Sequence, residues 1–547
     1  MRKKYWVLLL LGLSLFIVGC KKNNETCEYE QVLEQVATIS VTQELNSIDP
    51  ANTVDVNSNI ALNNIYEGLY RLNEQNIPEP AGASECPQIS EDGLTYIIKL
   101  RKKAKWSNGD PVVAEDYIYA WKRAIGGKNA TENRYLYENI ENAESVLNGT
   151  GQVEDLGILA KDEETIQIQL NRPMPYFTSL LSVPAFFPLK EKYVLENGEK
   201  FASDSDHALY NGPFKMEGYT GPGIANKWRY QKNPEYWDAK SVKMNTINVE
   251  VIKETATNVN LFDDEKLDEV SISGEFAKDR IDSPSFVRGQ STQTIFLGYN
   301  QTQKLYRNKK VRQAFSLLLD RKLIAEQLLG NGVKPATGLI FPDLFINNKG
   351  EDFTKLSGDH LKKNKEKATQ LWLEGKEEAG FTKDETVEIQ LISFENEDMK
   401  KVAEYLKGEI DTNFKGAKVK ISVYPVPVFM KNASNQEFDL YLVSWGADYP
   451  DPTSLFKLFK SDSSYNWGKY SSKKYDEQLT KADQENVLDE TKHWQNLLDV
   501  EKIIMDEQGV TPIYFGASTY LRRESYKGVI FHNVGPRFEY KKAYIAK

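Results

Sequence analysis

The chain runs to 547 residues with a net charge of −10; 40% of it is hydrophobic and 11% aromatic. That length exceeds one ordinary hydrophobic core and calls for two or three domains. The acidic balance, with lysines scattered and no basic tract, excludes nucleic acid as a partner.

At the N-terminus Arg2, Lys3 and Lys4 precede an apolar stretch of fourteen residues, Tyr5 to Val18. A bilayer span needs about 20 apolar residues, so this stretch reads as a signal peptide. No Ala-x-Ala cleavage site follows; the stretch ends at Ile17-Val-Gly-Cys20 and gives way to Lys21 and Lys22. The segment resembles the lipobox of bacterial lipoproteins. The resemblance implies a signal peptide at 1–19, acylation of Cys20 and a lipidated tether at 20–31. Each buried CH₂ of such a lipid, palmitate or similar, contributes about 0.8 kcal/mol, and the two chains of a diacylglycerol suffice for stable anchoring. No second long apolar run follows, so the remainder is expected outside the membrane. Cys27 and Cys86 are then left in an oxidising compartment. A disulfide between them is predicted, with two unpaired thiols as the alternative.

Further along, Ala37 to Thr42 reads as a strand. Asn59 to Leu69 reads as a helix with Ala61, Leu62, Ile65 and Leu69 along its apolar face. Pro78, Pro80 and Pro87 mark 76–88 as a loop. Leu94, Tyr96, Ile98 and Leu100 alternate in a half-buried strand, and Ile166, Ile168 and Leu170 alternate in another. Between them Val113 to Ile125 forms a helix with Tyr117, Trp121 and Ala124 on one face, so 65–190 reads as an α+β unit. Strands follow at Lys227 to Gln231 and at Ile247, Val249 and Val251. A long helix is predicted from Lys309 to Leu329, stopped by Gly330-Asn-Gly332. Helices at Lys365 to Ala379 and Met399 to Ile410 alternate with strands at Val419 to Val426 and Phe438 to Ser444. This predicts an α/β lobe over 292–512, and two large lobes joined by chain crossings imply a cleft between them.

Nothing in the sequence points to catalysis. His207, His360, His493 and His532 lie far apart without metal-ligand spacing, and each reads as a surface or packing histidine. There is neither a nucleophile elbow nor a phosphate loop, and no metal or cofactor is implied. Ligand chemistry is suggested instead by Trp445-Gly-Ala-Asp448-Tyr-Pro450-Asp-Pro452, at the end of a predicted strand. The two prolines stiffen the turn, Trp445 offers an apolar face and Gly446 allows close backbone approach. A carboxylate held there suits a cationic group. Asp448 and Asp451 equally suit capping of the turn through their own backbone. As a glycosidase pair they are poorly placed, because three residues apart on a stiff turn they are expected to diverge.

Several segments taken together strongly resemble the family 5 extracellular solute-binding proteins. Leu100 to Trp121, including Trp106, Asn108, Gly109, Ala114 and Asp116, fits that family's signature. Asn211 to Phe214, Asn233 to Trp237, and Val311 to Phe315 with Asp320 and Arg321 fit the same pattern in the same order. Trp445 to Pro452 is similar to the oligopeptide-binding branch. The resemblance implies an α/β, three-domain, periplasmic-binding-protein-like fold (type II, cluster C), two lobes with a hinged peptide cleft. Domain I would comprise 32–65, 193–291 and 513–547, domain II 66–192 and domain III 292–512. It further implies a monomeric, non-enzymatic receptor, lipid-anchored at the extracellular face of the cell membrane, that binds oligopeptides and delivers them to the permease of an ABC importer. In such a receptor Asp448 would bind the peptide's α-ammonium. Val56 and Ser444 to Gly446 would pair with the peptide backbone like added strands. Tyr135 and Trp445 would wall the cleft.

The sequence also departs from the family pattern. Leu442 stands in place of an arginine that can meet the carboxylate of a short peptide, Val54 in place of a glutamate near the peptide, and Gly516 in place of a cleft tyrosine. These exchanges predict a roomier, more apolar cleft for a longer or hydrophobic peptide, as in the peptide-pheromone-binding lipoproteins of Gram-positive bacteria. A general nutrient importer is the alternative. The same fold binding a non-peptide solute, or acting as an adhesin or chaperone, is a third reading.

Overall fold

The computed structural model describes residues 34–53, 55–126, 132–289, 293–447 and 449–547, the side chains of Glu132, Tyr135 and Pro427 excepted. Cys20, Cys27, Val54 and Asp448 therefore lie outside the described residues. Three sheets organise the remainder. A seven-stranded sheet draws its strands from both ends and the middle of the chain. Val36–Val41 runs parallel to Thr246–Val251, with Ala37 opposite Ile247 and Ile39 opposite Val249. Their inward side chains are buried, as the period-2 alternation requires. Lys227–Lys232 and Phe214–Glu217 extend this sheet on one side; Glu269–Ile272, Thr519–Arg522 and Phe286–Arg288 extend it on the other.

A four-stranded antiparallel sheet is made wholly from 88–169, in the order Gln88–Ile89, Thr95–Lys99, Thr165–Gln169, Ile158–Asp162. Tyr96 and Ile98 face inward together with Ile166 and Ile168. The helix Ala114–Ile125 buries Tyr117, Trp121 and Ala124. Asp116 explains the start of that helix. Its carboxylate accepts the Val113 N–H at 3.0 Å and the indole N–H of Trp106 at 2.9 Å, so two residues of the family-like segment close one buried corner.

The six-stranded sheet has the order Lys334–Pro335, Thr511–Phe515, Gln293–Tyr299, Leu440–Gly446, Val387–Phe394, Ala417–Tyr424. The last three strands are mutually parallel and end on one edge of the sheet. Both faces are covered. Leu440 and Leu442 pack with Phe315, Trp372 and Leu406 on one side. Tyr441 and Val443 pack with Leu497, Val500 and Ile504 of the helix Glu490–Asp506 on the other. Burial on both faces gives a nearly continuous apolar strand rather than an alternating one.

The chain passes between the seven- and six-stranded sheets between Gly289 and Gln293 and at 516–518. These crossings bond to each other: the Gly289 N–H donates to Ser518 O at 2.8 Å and the Gly516 N–H to Gln293 O at 2.9 Å. No helix among the described residues is long and apolar enough to cross a membrane.

Local structure departs from expectation at four places. The first helix is Val56–Ile65, three residues earlier than predicted, because the Asp55 side chain caps it by accepting the Ser58 N–H. Pro78–Pro80 is a strand, paired with Tyr70–Leu72 in a two-stranded ribbon whose edge tolerates proline. The helix predicted over 309–329 is broken. Lys309–Leu318 ends at an extended Leu319, and Asp320 caps Arg321–Leu323, which runs into a π-helical turn, Ile324–Leu329, before Gly330. Val426 opens a helix, Val426–Ser434, instead of closing the preceding strand.

Candidate functional site

The strand Leu440–Gly446 supplies the backbone of the candidate site. Along its whole length it pairs antiparallel with Gln293–Tyr299. On its other edge only Leu440, Tyr441 and Leu442 find partners, opposite Leu391, Ile392 and Ser393. Among the described residues no strand pairs with Val443 to Gly446 on that edge. Ser444, Trp445 and Gly446 therefore present half-buried extended backbone whose outward N–H and C=O groups are placed to receive another chain.

Trp445 forms a wall beside this edge. Its ring meets Tyr465 edge-on at 5.1 Å and Trp467 at 5.9 Å, which fixes the indole without covering it. Trp445 and Tyr449 line a cleft of about 1050 Å³ whose other walls include Arg134, Arg172, Lys457 and Asp483. Tyr449 is stacked on Tyr176, ring centroids 4.2 Å apart and planes 2° from parallel. Arg172 bonds to Asp483, and Lys457 reaches the other oxygen of that carboxylate at 3.0 Å.

The turn after the strand is held from within by Asp451. Its Oδ1 accepts the Thr453 N–H at 2.9 Å and the Thr453 hydroxyl at 2.5 Å, at the start of the short helix Thr453–Phe456. Its Oδ2 lies 2.9 Å from Nε2 of His493, whose Nδ1 lies 2.9 Å from the Ala482 carbonyl. Burial pushes the Asp451 carboxyl up, but the hydrogen bond and charge of His493, with the bonds from Thr453, outweigh it and hold the group below the usual carboxylate range. Burial likewise lowers the His493 pKa, and Asp451 more than reverses this, leaving it above the ordinary imidazole value. Asp451 is thus a structural member of the turn.

The candidate residues divide. Ser444, Trp445 and Gly446 share one strand end, and Trp445 lines the cleft. Tyr135 belongs to the 3₁₀ turn Glu132–Tyr137, which brings Arg134 to the cleft wall, while the Tyr135 side chain lies outside the described set. Val56 is the first residue of a helix, so its backbone is helical rather than extended and it stands apart from the strand end. Leu442 does not line the cleft. It is fully buried, on the face of the strand that packs against helices, so its size and polarity shape the core rather than a ligand pocket. Gly516 belongs to a lobe crossing, where an added Cβ would meet Ile295 Cδ1 at 3.2 Å. Cys86 is exposed, and its expected partner Cys27 lies outside the described residues, as do Val54 and Asp448.

Sequence reasoning missed Tyr449, Tyr176, Arg172, Lys457 and Asp483. The Arg172–Asp483 pair spans 311 positions, and no local pattern marks it. The four histidines occupy surface or packing positions, and each has a carboxylate within 4.0 Å. One cluster brings Ser357, His360 and Glu501 together, with Ser357 Oγ 2.8 Å from His360 Nε2. Glu501 bonds the serine and the N–H groups of Leu339 and Ile340, not the imidazole, so the order of a nucleophilic triad is missing. No group of three metal-ligating side chains gathers among the described residues.

Residues 78–467 match the family described as bacterial extracellular solute-binding proteins, family 5 Middle. The dipeptide-binding protein DppE of Bacillus subtilis (strain 168) is 31% identical over 546 residues, 97% of either chain. The structure of Listeria monocytogenes OppA bound to peptide is similar with a TM-score of 0.81 at 35% identity, covering 94% of this chain and 99% of that one. The pheromone receptor PrgZ gives a TM-score of 0.82 at 35% identity, covering 94% and 100%. The chain therefore belongs to the bacterial extracellular solute-binding proteins of family 5.

Proposed function

We propose that this protein is a lipid-anchored extracytoplasmic receptor that binds oligopeptides and hands them to the permease of an ABC importer. The observation that carries the reading is the open edge of Val443 to Gly446, whose Trp445 lines a large cleft. Such an edge recognises peptide backbone without regard to side chains, which suits a carrier of varied peptides. The likeness to a dipeptide-binding protein, to a peptide-bound OppA and to a pheromone receptor supports the same ligand class. In this reading Cys20 carries the lipid, Cys27 and Cys86 pair, the protein acts as a monomer, and the chain divides into domains at 32–65, 66–192, 193–291, 292–512 and 513–547. Asp448, two residues beyond Gly446, binds the peptide's α-ammonium. Two unit charges about 4 Å apart gain roughly 4 kcal/mol at an effective dielectric near 20, before desolvation.

Calorimetry with one synthetic peptide in free-amine and N-acetylated forms tests the anchor. Acetylation, or Asp448→Asn, is expected to weaken binding by about 1.5–3 kcal/mol, the scale of a charged hydrogen bond. Equal affinity for the two peptides would overturn the assignment of Asp448.

A dedicated pheromone receptor is the second reading, favoured by the likeness to PrgZ along the whole of that chain. Leu442 gives this reading no support, because it is core. Mass spectrometry of the peptides that co-purify with the protein separates the two: a heterogeneous mixture indicates nutrient uptake, one short hydrophobic peptide a pheromone.

A further inference from the structure

Among the contacts between the part of the molecule built on the four-stranded sheet and the six-stranded lobe, two are connected to the turn after the strand Leu440–Gly446. Tyr176 stacks on Tyr449, the residue after Asp448. Arg172 pairs with Asp483. The two contacts are linked through His493, which bonds Asp451 in the turn with one nitrogen and, with the other, the carbonyl of Ala482, the residue before Asp483. Tyr449, Asp451, His493, Ala482 and Asp483 therefore form one continuous path, and each end of it touches the same neighbouring body.

The chemistry of the ion pair fits a contact made to open. A buried ion pair that loses one partner ordinarily leaves a costly bare charge. Here each half keeps a companion on its own side. Lys457 stays with Asp483 at 3.0 Å, and Asn139, whose Oδ1 accepts from Arg172 Nε at 2.7 Å, stays with the guanidinium. Stacked tyrosine rings separate without leaving a charge behind. The contact also borders the cleft, since Arg172, Tyr449, Lys457 and Asp483 all line it.

We propose that Arg172, Tyr176 and Asp483 are positioning residues of the ligand site: they latch the four-stranded body across the cleft and hold the Tyr449–Asp451 turn, so that release of the latch loosens that turn. The proposal rests on the reading of this cleft as the ligand site, but its test needs no peptide.

Hydrogen–deuterium exchange of the full-length protein, read by mass spectrometry over 445–456, measures the opening of the turn directly. In Arg172→Gln its amides, including those of Asp451 and Ser454, are expected to exchange about tenfold faster, as loss of a charged hydrogen bond implies. Exchange in the strands Thr95–Lys99 and Ala417–Tyr424 should stay as in the wild type. Asp483→Asn, which leaves Arg172 and Lys457 facing each other without an anion, is expected to exceed it, and Arg172→Lys to restore most of the protection. Wild-type exchange in the turn of both Arg172→Gln and Tyr176→Ala would overturn the latch. Indifference to a free amine in the calorimetry would overturn the peptide anchor and leave this result standing.

Discussion

Asp451 and His493 are largely buried, and each is the other's counter-charge. The two imidazole nitrogens face a carboxylate and a carbonyl, both of them acceptors, so the geometry is satisfied in full only by the doubly protonated ring. This sets the sign of a pH dependence. His493, raised above its ordinary value, contributes stability that is complete below about pH 6.5 and is lost as pH rises through the raised value. Asp451, held low, contributes above about pH 3.9 and loses its part as pH falls through the depressed value. The pair is therefore worth most between those limits. His493→Ala is expected to destabilise the protein by roughly 3 kcal/mol near pH 5.5, since it strands a buried carboxylate, and by clearly less at pH 9. Urea titrations of both proteins at the two pH values check this; a pH-independent difference would mean the histidine acts only by packing. Leu442 makes the opposite point at the same scale. One strand position decides whether a side chain meets ligand or core, and Leu442 falls on the core face.

At the scale of the element, the end of the strand Leu440–Gly446 is the part that matters. Three residues of it are locked between two neighbours and, among the described residues, the last four have a strand neighbour on one side only. If the open edge takes up peptide backbone, affinity resides in main-chain hydrogen bonds. N-methylation of the peptide amides that face this edge is expected to cost about 0.5–1.5 kcal/mol for each bond lost. Truncating a peptide side chain should cost less, a comparison that competition binding makes directly. Loss on side-chain truncation with indifference to N-methylation would place recognition elsewhere. Much at this scale was legible beforehand. Tyr96, Ile98, Ile166 and Ile168 alternate with the period of a strand, and Gly330 ends a helix in the left-handed conformation that glycine adopts without penalty. The run from Lys309 to Leu329 was not legible. Its helical periodicity is uninterrupted, and the break depends on Asp320 turning its side chain to the Leu323 N–H at 2.9 Å, while Lys363 from a distant segment holds the same carboxylate.

At the scale of the molecule, what joins the lobes could not be read from sequence, because pairs such as Arg172 with Asp483 or Tyr176 with Tyr449 carry no local signature. The chain crossings were legible only as an implication of two lobes. The structure gives them substance: two short segments, bonded to each other by Gly289 with Ser518 and Gly516 with Gln293, link the seven- and six-stranded sheets. Two chain crossings can serve as a hinge about which the lobes move as rigid bodies while the sheets stay intact. Peptide held between Ser444–Gly446 and the facing wall would then draw the lobes together. Small-angle scattering is expected to show a smaller radius of gyration with peptide than without, at unchanged far-ultraviolet circular dichroism. Stability should rise by about 2.7 kcal/mol when free peptide exceeds its Kd a hundredfold, because only the folded chain binds it. If stability rises while the scattering curve stays the same, the peptide sits on a surface that closure does not reach, and the open strand edge is not where it binds.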